Sequence, residues 1–202
     1  MIAIVDYDMG NVASVANMLK RIGVSAPVLT RDPDVLRRAE KVILPGVGAF
    51  DNGMQNLAEF GILSALNEAA LERRVPILGI CLGMQLLTKA SEEGQLPGLG
   101  WIDGQTVRFR FPNEPGRKVP HMGWNYAAAL RDNPLVPPGR NRYYFVHSYY
   151  VTCNDQADVI STATYGFDFA CGVNHGNIFG VQFHPEKSHR FGMALLESFV
   201  RL

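Results

Sequence analysis

Val75-Pro76-Ile77-Leu78-Gly79-Ile80-Cys81-Leu82-Gly83-Met84-Gln85-Leu86-Leu87-Thr88 is the stretch that decides the fold. The apolar run Val75–Ile80 reads as a buried strand and Met84–Thr88 as helix, so Cys81 falls at the sharp turn between them. A cysteine in that place has the layout of a nucleophile elbow, with sulfur where a hydroxyl oxygen is more familiar. Gly79 and Gly83 on either side allow the tight backbone and close approach that such a turn demands. At the end of a strand and the start of a helix, backbone N–H groups and the helix dipole stabilise negative charge on sulfur. Ligands of open α/β sheets also gather beyond the carboxyl ends of the strands.

Upstream, strand and helix alternate in the same way. Ile2–Asp6 is a short β-rich run, and Asn11 can cap a helix in which Val12, Val15, Leu19 and Ile22 recur at helical spacing before Gly23. Pro27–Thr30 reads as a second strand and Asp32–Ala39 as a short helix with Pro33 in its first turn. Lys41–Pro45 is a third strand, followed by the loop Gly46-Val47-Gly48-Ala49-Phe50 and helical sequence to Arg74. This alternation predicts right-handed βαβ units and a parallel sheet covered by helices.

Downstream of Ala90 the texture changes. Thr106–Phe111, Arg142–Val151, Asp158–Thr164 and Phe169–Val173 read as short antiparallel strands, added to one edge of the sheet or forming a small flanking one. Asn177–Phe183 is a last strong strand, and Ser188–Leu202 is an amphipathic helix with Phe191, Leu195, Phe199 and Leu202 on one face. The expectation is one α/β domain over residues 1–202. Its central sheet is mostly parallel and flanked by helices, with additional antiparallel strands in the C-terminal half.

Composition narrows the function classes. Nineteen basic residues balance nineteen acidic ones, which removes electrostatic support for a nucleic-acid or polybasic membrane role. No apolar run approaches the ~20 residues needed to cross a bilayer. The start, Met1 to Asp8, lacks a basic region and is interrupted by acid, so no signal peptide is expected. Cys81, Cys153 and Cys171 are odd in number and unevenly spaced, neither a disulfide framework nor a zinc pattern. A reduced, cytoplasmic protein without metal or cofactor is expected, with Cys153 and Cys171 as core residues.

A nucleophilic cysteine needs a base, and five histidines are available: 121, 147, 175, 184 and 189. His184 leads, because it ends a buried-looking strand, Pro185 keeps it out of helical geometry, and Glu186 follows two residues on. A glutamate accepting from one imidazole nitrogen fixes the tautomer and leaves the other nitrogen for the thiol. His147, at the end of Tyr143-Tyr144-Phe145-Val146, is the second candidate and lacks a following carboxylate. Pro45-Gly46-Val47-Gly48 ends the third strand and can offer a backbone donor which, with the N–H of Leu82, forms an oxyanion hole. It is not a phosphate loop, because no Gly-Lys-Ser/Thr follows. Cys81, His184 and Glu186 therefore predict an acyl-transfer site.

Together these residues resemble the triad, or class I, glutamine amidotransferases. The likeness runs nearly end to end: Asp6-Tyr7 with Gly10-Asn11, Leu44 to Phe50, Gly79 to Gln85, and Val181-Gln182-Phe183-His184-Pro185-Glu186-Lys187-Ser188. It implies a flavodoxin-like α/β fold and attack of Cys81 on the side-chain amide of L-glutamine. His184 would protonate the departing ammonia and Glu186 would orient His184, while Val47, Gly48 and Leu82 hold the oxyanion. Gln85 and the segment His147, Ser148, Tyr149 would hold the substrate. Val119-Pro120-His121-Met122-Gly123-Trp124-Asn125 and Tyr144 to Tyr149 resemble the glutaminase subunits that serve histidine biosynthesis. That narrower likeness implies a heterodimer with a separate (β/α)8-barrel cyclase, and Asn11, Met122, Trp124 and Asn125 at the contact or along the ammonia path. Subunits of vitamin B6 or anthranilate synthesis, or a non-catalytic regulatory subunit, are the rival readings. One departure is Asp8, where the family pattern Tyr-Gly-x-Gly-Asn has a small residue.

Overall fold

A computed structural model describes residues 1–114 and 116–202. Strand β1 (Ile2–Val5) is buried along its whole length. Helix α1 (Val12–Arg21) begins at Asn11, whose side chain accepts the Ser14 N–H at 3.1 Å, and ends before Gly23, which takes φ +94°. Strand β2 (Val28–Thr30) leads to helix α2 (Pro33–Arg38), capped by the Asp32 side chain on the Asp34 N–H. Strand β3 (Lys41–Gly46) follows. The helical sequence to Arg74 is broken rather than continuous. It forms α3 (Phe50–Glu59), α4 (Leu63–Asn67) and a π-helical turn over Glu68–Glu72, with Gly61 at φ +66° supplying the first break. Strand β4 (Ile77–Cys81) runs straight into α5 (Leu82–Leu86). Pro76 stays outside the strand and lends only its carbonyl, to the Val42 N–H at 3.0 Å.

The second half holds β5 (Ala90–Ser91), β6 (Gly104–Arg108), β7 (His121–Ala129), β8 (Arg140–His147), β9 (Tyr149–Cys153), β10 (Val159–Tyr165), β11 (Phe167–His175), β12 (Ile178–Val181) and α6 (His189–Arg201). The structure departs from the sequence reading at three points here. Arg142–Val151 is two strands, parted at Ser148, and His121–Ala129 is a long strand that sequence reading did not assign. Leu202 lies past the end of α6 and is exposed, so Leu196 completes the buried face beside Leu195 and Phe199.

All these strands join one sheet of order β2-β1-β3-β4-β12-β11-β10-β7-β8, with β9 branching from β11 to β6 and β5. The five strands β2-β1-β3-β4-β12 are parallel, and from β12 to β8 each pairing is antiparallel. The antiparallel strands thus continue the central sheet instead of forming a separate one. Period-two alternation builds a core on each face of the parallel part. Ala3, Val5, Val42, Leu44 and Ile77 pack with Phe50, Leu57 and Leu66 of α3 and α4. Ile2, Ile4, Ile43, Leu78 and Ile80 pack with Val15 and Leu19 of α1 and with Leu195 and Phe199 of α6. Strands covered on both faces read as unbroken apolar runs, which is why they are legible. Among the described residues no helix is long and apolar enough to cross a membrane.

Candidate active site

The register of the parallel strands assembles the site. Cys81, the last residue of β4, lies beside Gly46 at the end of β3, and Val181 of β12 lies beside Ile80. Segments that follow three strands, Val47–Gly48, Leu82–Gln85 and Gln182–Glu186, are thereby delivered to one end of the sheet. Cys81 has φ +54° and ψ −108°, a conformation that L-residues rarely adopt and that is sustained only by its surroundings. The surroundings here are glycines. A Cβ on Gly79 would lie 2.7 Å from the Gly83 carbonyl carbon, and one on Gly83 would run into the Leu44 carbonyl oxygen. Gly48, on the neighbouring loop, has φ +117°.

His184 enters from the strand beside Cys81. It is 1% exposed, and its Nδ1 donates to Glu186 Oε1 at 2.7 Å across the short helical turn Pro185–Lys187. Its Nε2 is buried without a hydrogen-bond partner among the described residues. Burial pulls this imidazole down, but Cys81 and Glu186 outweigh it and push the group up to about 9. Cys81 Sγ itself donates to the Val146 carbonyl at 3.9 Å and accepts from Gln182 Nε2 at 3.7 Å. The Tyr7 hydroxyl, packed under Gly46, is also buried and unpaired among the described residues, and burial with the nearby Cys81 pushes the phenol up.

Sulfur opens onto a cavity of about 290 Å³ lined by Val47, Gly48, Leu82, Gln85, His147, Ser148 and Tyr149. All of the expected oxyanion and substrate residues therefore share one space with Cys81. On the far wall His147 Nδ1 donates to the Tyr149 carbonyl at 2.7 Å, and Nε2 meets His121 Nδ1 at 3.0 Å. Both ring nitrogens are engaged and neither addresses sulfur. Burial pushes His147 down to about 3 and His121 to about 4. Gln85 is buried, its Nε2 donating to the Tyr149 carbonyl at 3.3 Å and to Gln182 Oε1 at 3.1 Å, which leaves Oε1 free to accept.

The expected contact residues divide into two kinds. Met122 is 62% and Trp124 39% exposed, and Trp124 lies flat on His189 with the Arg142 guanidinium over its ring. Asn11 and Asn125 use their side chains within the protein, Asn125 donating to the Thr164 carbonyl at 2.9 Å and meeting His121 Nε2 at 3.2 Å. Asp8 takes φ +61°, which aspartate tolerates better than most residues, and accepts from Arg31 at 2.7 Å.

Sequence reading missed Glu93 and Gln182. Glu93 lines the cavity and accepts the Phe50 N–H at 3.0 Å, and burial at the rim pushes its carboxyl up. Within Ser91-Glu92-Glu93-Gly94 it looks like any solvated loop acid. Gln182 did carry a signal, as a polar residue set in the apolar run Ile178–Phe183.

A family model for class-I glutamine amidotransferases matches residues 3–202. The imidazole glycerol phosphate synthase subunit HisH 2 of Methanococcus maripaludis is 51% identical over 206 residues, covering 100% of this chain and 99% of its own. The like-named subunit of Pseudomonas aeruginosa is 49% identical over 204 residues, covering 100% of both chains. Among solved structures, a glutamine amidotransferase known from its crystal structure superposes with a TM-score of 0.78 at 20% identity, covering 100% of this chain and 98% of that one. The glutaminase domain of Trypanosoma brucei CTPS with bound acivicin gives 0.64 at 14% identity, covering 99% and 93%. At such identities the structural likeness speaks for the fold alone.

Proposed function

The chain belongs to the class-I glutamine amidotransferase family, and from its full-length likeness to imidazole glycerol phosphate synthase subunits we propose that it is the glutaminase subunit of such a synthase. In this reading residues 1–202 form one glutaminase domain. The observation that carries the site assignment is the buried His184–Glu186 pair at 2.7 Å, set beside a strained Cys81 that opens onto a cavity of about 290 Å³. That volume suits an amino acid and lies near the lower end for ligand pockets. Glu93 is the one carboxylate on the cavity wall among the described residues, placed to meet the α-ammonium of glutamine.

Cys81 thiolate attacks the side-chain amide carbon, and N–H groups at Gly48 and Leu82 hold the oxyanion, one such donor being worth ~10²–10³ in rate. The C–N bond breaks as His184 Nε2 gives its proton to the leaving ammonia. The thioester that remains is hydrolysed by water, which His184 deprotonates, releasing L-glutamate and the thiol. Glu186 keeps Nε2 directed at the reaction throughout.

Ammonia in neutral water is mostly ammonium, which is not a nucleophile, so the product has to pass directly to a second active site. The exposed Met122 and Trp124 offer the surface for a heterodimeric partner, read here as a (β/α)8-barrel cyclase. Three free, buried cysteines suit a reducing compartment, and we assign the protein to the cytoplasm.

Glutamate release is to be measured for the chain alone, with the cyclase and its ligand, and with amidotransferase-dependent synthases of other pathways. Stimulation by the cyclase alone is expected, and Cys81→Ala should abolish release while still binding it. Stimulation by a different synthase would reassign the pathway, and hydrolysis retained in Cys81→Ala would remove the nucleophile.

A further inference from the structure

Gln182 sits one residue beyond β12, fully buried, between Gln85 and the sulfur of Cys81. The two ends of an amide look alike, so its orientation has to be deduced from partners whose role is unambiguous. The Tyr149 carbonyl is such a partner, because it only accepts. His147 Nδ1 reaches it at 2.7 Å and Gln85 Nε2 at 3.3 Å. Gln85 therefore turns its NH2 group inward, and the second hydrogen on that nitrogen meets Gln182 Oε1 at 3.1 Å. With its oxygen so engaged, Gln182 has only Nε2–H to present to Cys81 Sγ, 3.7 Å away. Reversing Gln182 would set two NH2 groups against each other and a carbonyl oxygen against sulfur. One backbone oxygen thus dictates which atom faces the nucleophile.

The same oxygen orders the far wall. Because His147 Nδ1 carries the hydrogen given to Tyr149, its Nε2 accepts, and the hydrogen between the two rings belongs to His121 Nδ1. Asn125 Nδ2 then donates to His121 Nε2 at 3.2 Å. No member of the chain can reverse without breaking a neighbour's bond, which makes the donor at sulfur a fixed feature of the fold.

We propose that Gln182 is a catalytic residue: its Nε2–H stabilises the Cys81 thiolate before attack and again when the thioester breaks. A buried anion with one charged neighbour and no hydrogen-bond donor is costly, and hydrogen bonds to charged groups are the stronger kind. His184 supplies the charge and Gln182 the donor, from opposite ends of the segment that follows β12. In the neutral thioester the sulfur has little use for the donor, so the contact acts on the thiolate states that bracket it. The proposal rests on the glutaminase reading for the reaction it serves, while the reactivity of the sulfur is measurable without glutamine.

Gln182→Met nearly conserves volume and removes the N–H. Carboxamidomethylation of Cys81 by iodoacetamide at pH 7, followed by mass spectrometry on the full-length chain with Cys81→Ala as background, should slow by roughly 3- to 10-fold. The range allows for the intrinsic nucleophilicity a thiolate regains when it is less well stabilised. Glutamate release with the cyclase should fall at least as much. Alkylation at the wild-type rate in Gln182→Met with an unchanged circular dichroism spectrum would overturn the proposal. If that variant does not fold, Gln182→Asn, which withdraws the amide by one methylene, decides by the same two outcomes. Slowed alkylation in a chain that hydrolyses no glutamine would sustain the donor and break the glutaminase reading instead.

Discussion

Two buried histidines lie near Cys81, His184 coupled to the sulfur and His147 lining the cavity onto which it opens, and their surroundings drive them in opposite directions. His184 is 1% exposed and His147 5%, so burial does not distinguish them. Partners do. His184 has the Glu186 carboxylate on one side and Cys81 on the other, and is pushed up to about 9. His147 has a neutral carbonyl on one side and a second neutral imidazole on the other, and is pushed down to about 3. Beside Glu186 and Cys81 the imidazolium form is favoured, whereas at the cavity lining the imidazole is held neutral. Desolvation penalises both imidazolium forms, and only an acidic neighbour reverses its effect.

The strongest way to break this contrast is to remove each histidine in turn. His184→Ala should lower glutamine hydrolysis ~10²–10⁴-fold at saturating partner, the range for loss of general acid–base help, and His147→Ala should cost far less. A larger loss in His147→Ala would mean that the proton comes from the far wall. A smaller perturbation targets the acidic neighbour alone. Glu186→Gln keeps the shape and removes the charge, so activity should drop by less than in His184→Ala and the His184 midpoint, followed by NMR, should fall from about 9. An unmoved midpoint would assign the charge on His184 to Cys81 alone.

The gentlest test uses pH. His184 is raised in the folded state, so its contribution to stability is complete below 6.5 and is lost as pH rises through about 9. His121 and His147 are depressed, so the unfolded chain binds protons that the native one refuses; their contribution is complete above 6.5 and is lost as pH falls towards about 4 and 3. Melting temperature should therefore decline on both sides of neutrality, by a few degrees on the alkaline side. His184→Ala should flatten the alkaline decline and leave the acid one in place. Equal flattening of both would show that His184 titrates together with His121 and His147.

Legibility in the sequence followed the physics of burial. The parallel strands are apolar on both faces, and the helix starts at Asn11 and Asp32 are marked by capping side chains. Cys81, His184 and Glu186 were readable because turn glycines and a His-x-Glu spacing are local features. Strand β7 was not, for its polarity is inverted. His121 points into the protein while Met122, Trp124 and Tyr126 lie exposed, so the alternation that marks a half-buried strand is reversed. The break at Ser148 was hidden because Tyr143–Val151 is β-rich on both sides of it. Gln182 and Glu93 acquire meaning only from neighbours distant in sequence, namely Gln85 with Cys81, and the start of α3.

Strand β12 lies inside the sheet, between β4 and β11, yet is the last strand of the chain. During synthesis from the N-terminus, the thiol at Cys81 emerges about a hundred residues before the strand that completes its environment. Gln182, His184 and Glu186 all ride on that strand or the turn beyond it. A nascent chain that has not reached β12 therefore carries the Cys81 sulfur without Gln182, His184 and Glu186 around it. On the proposed reading, arming of the nucleophile is tied to closure of the sheet.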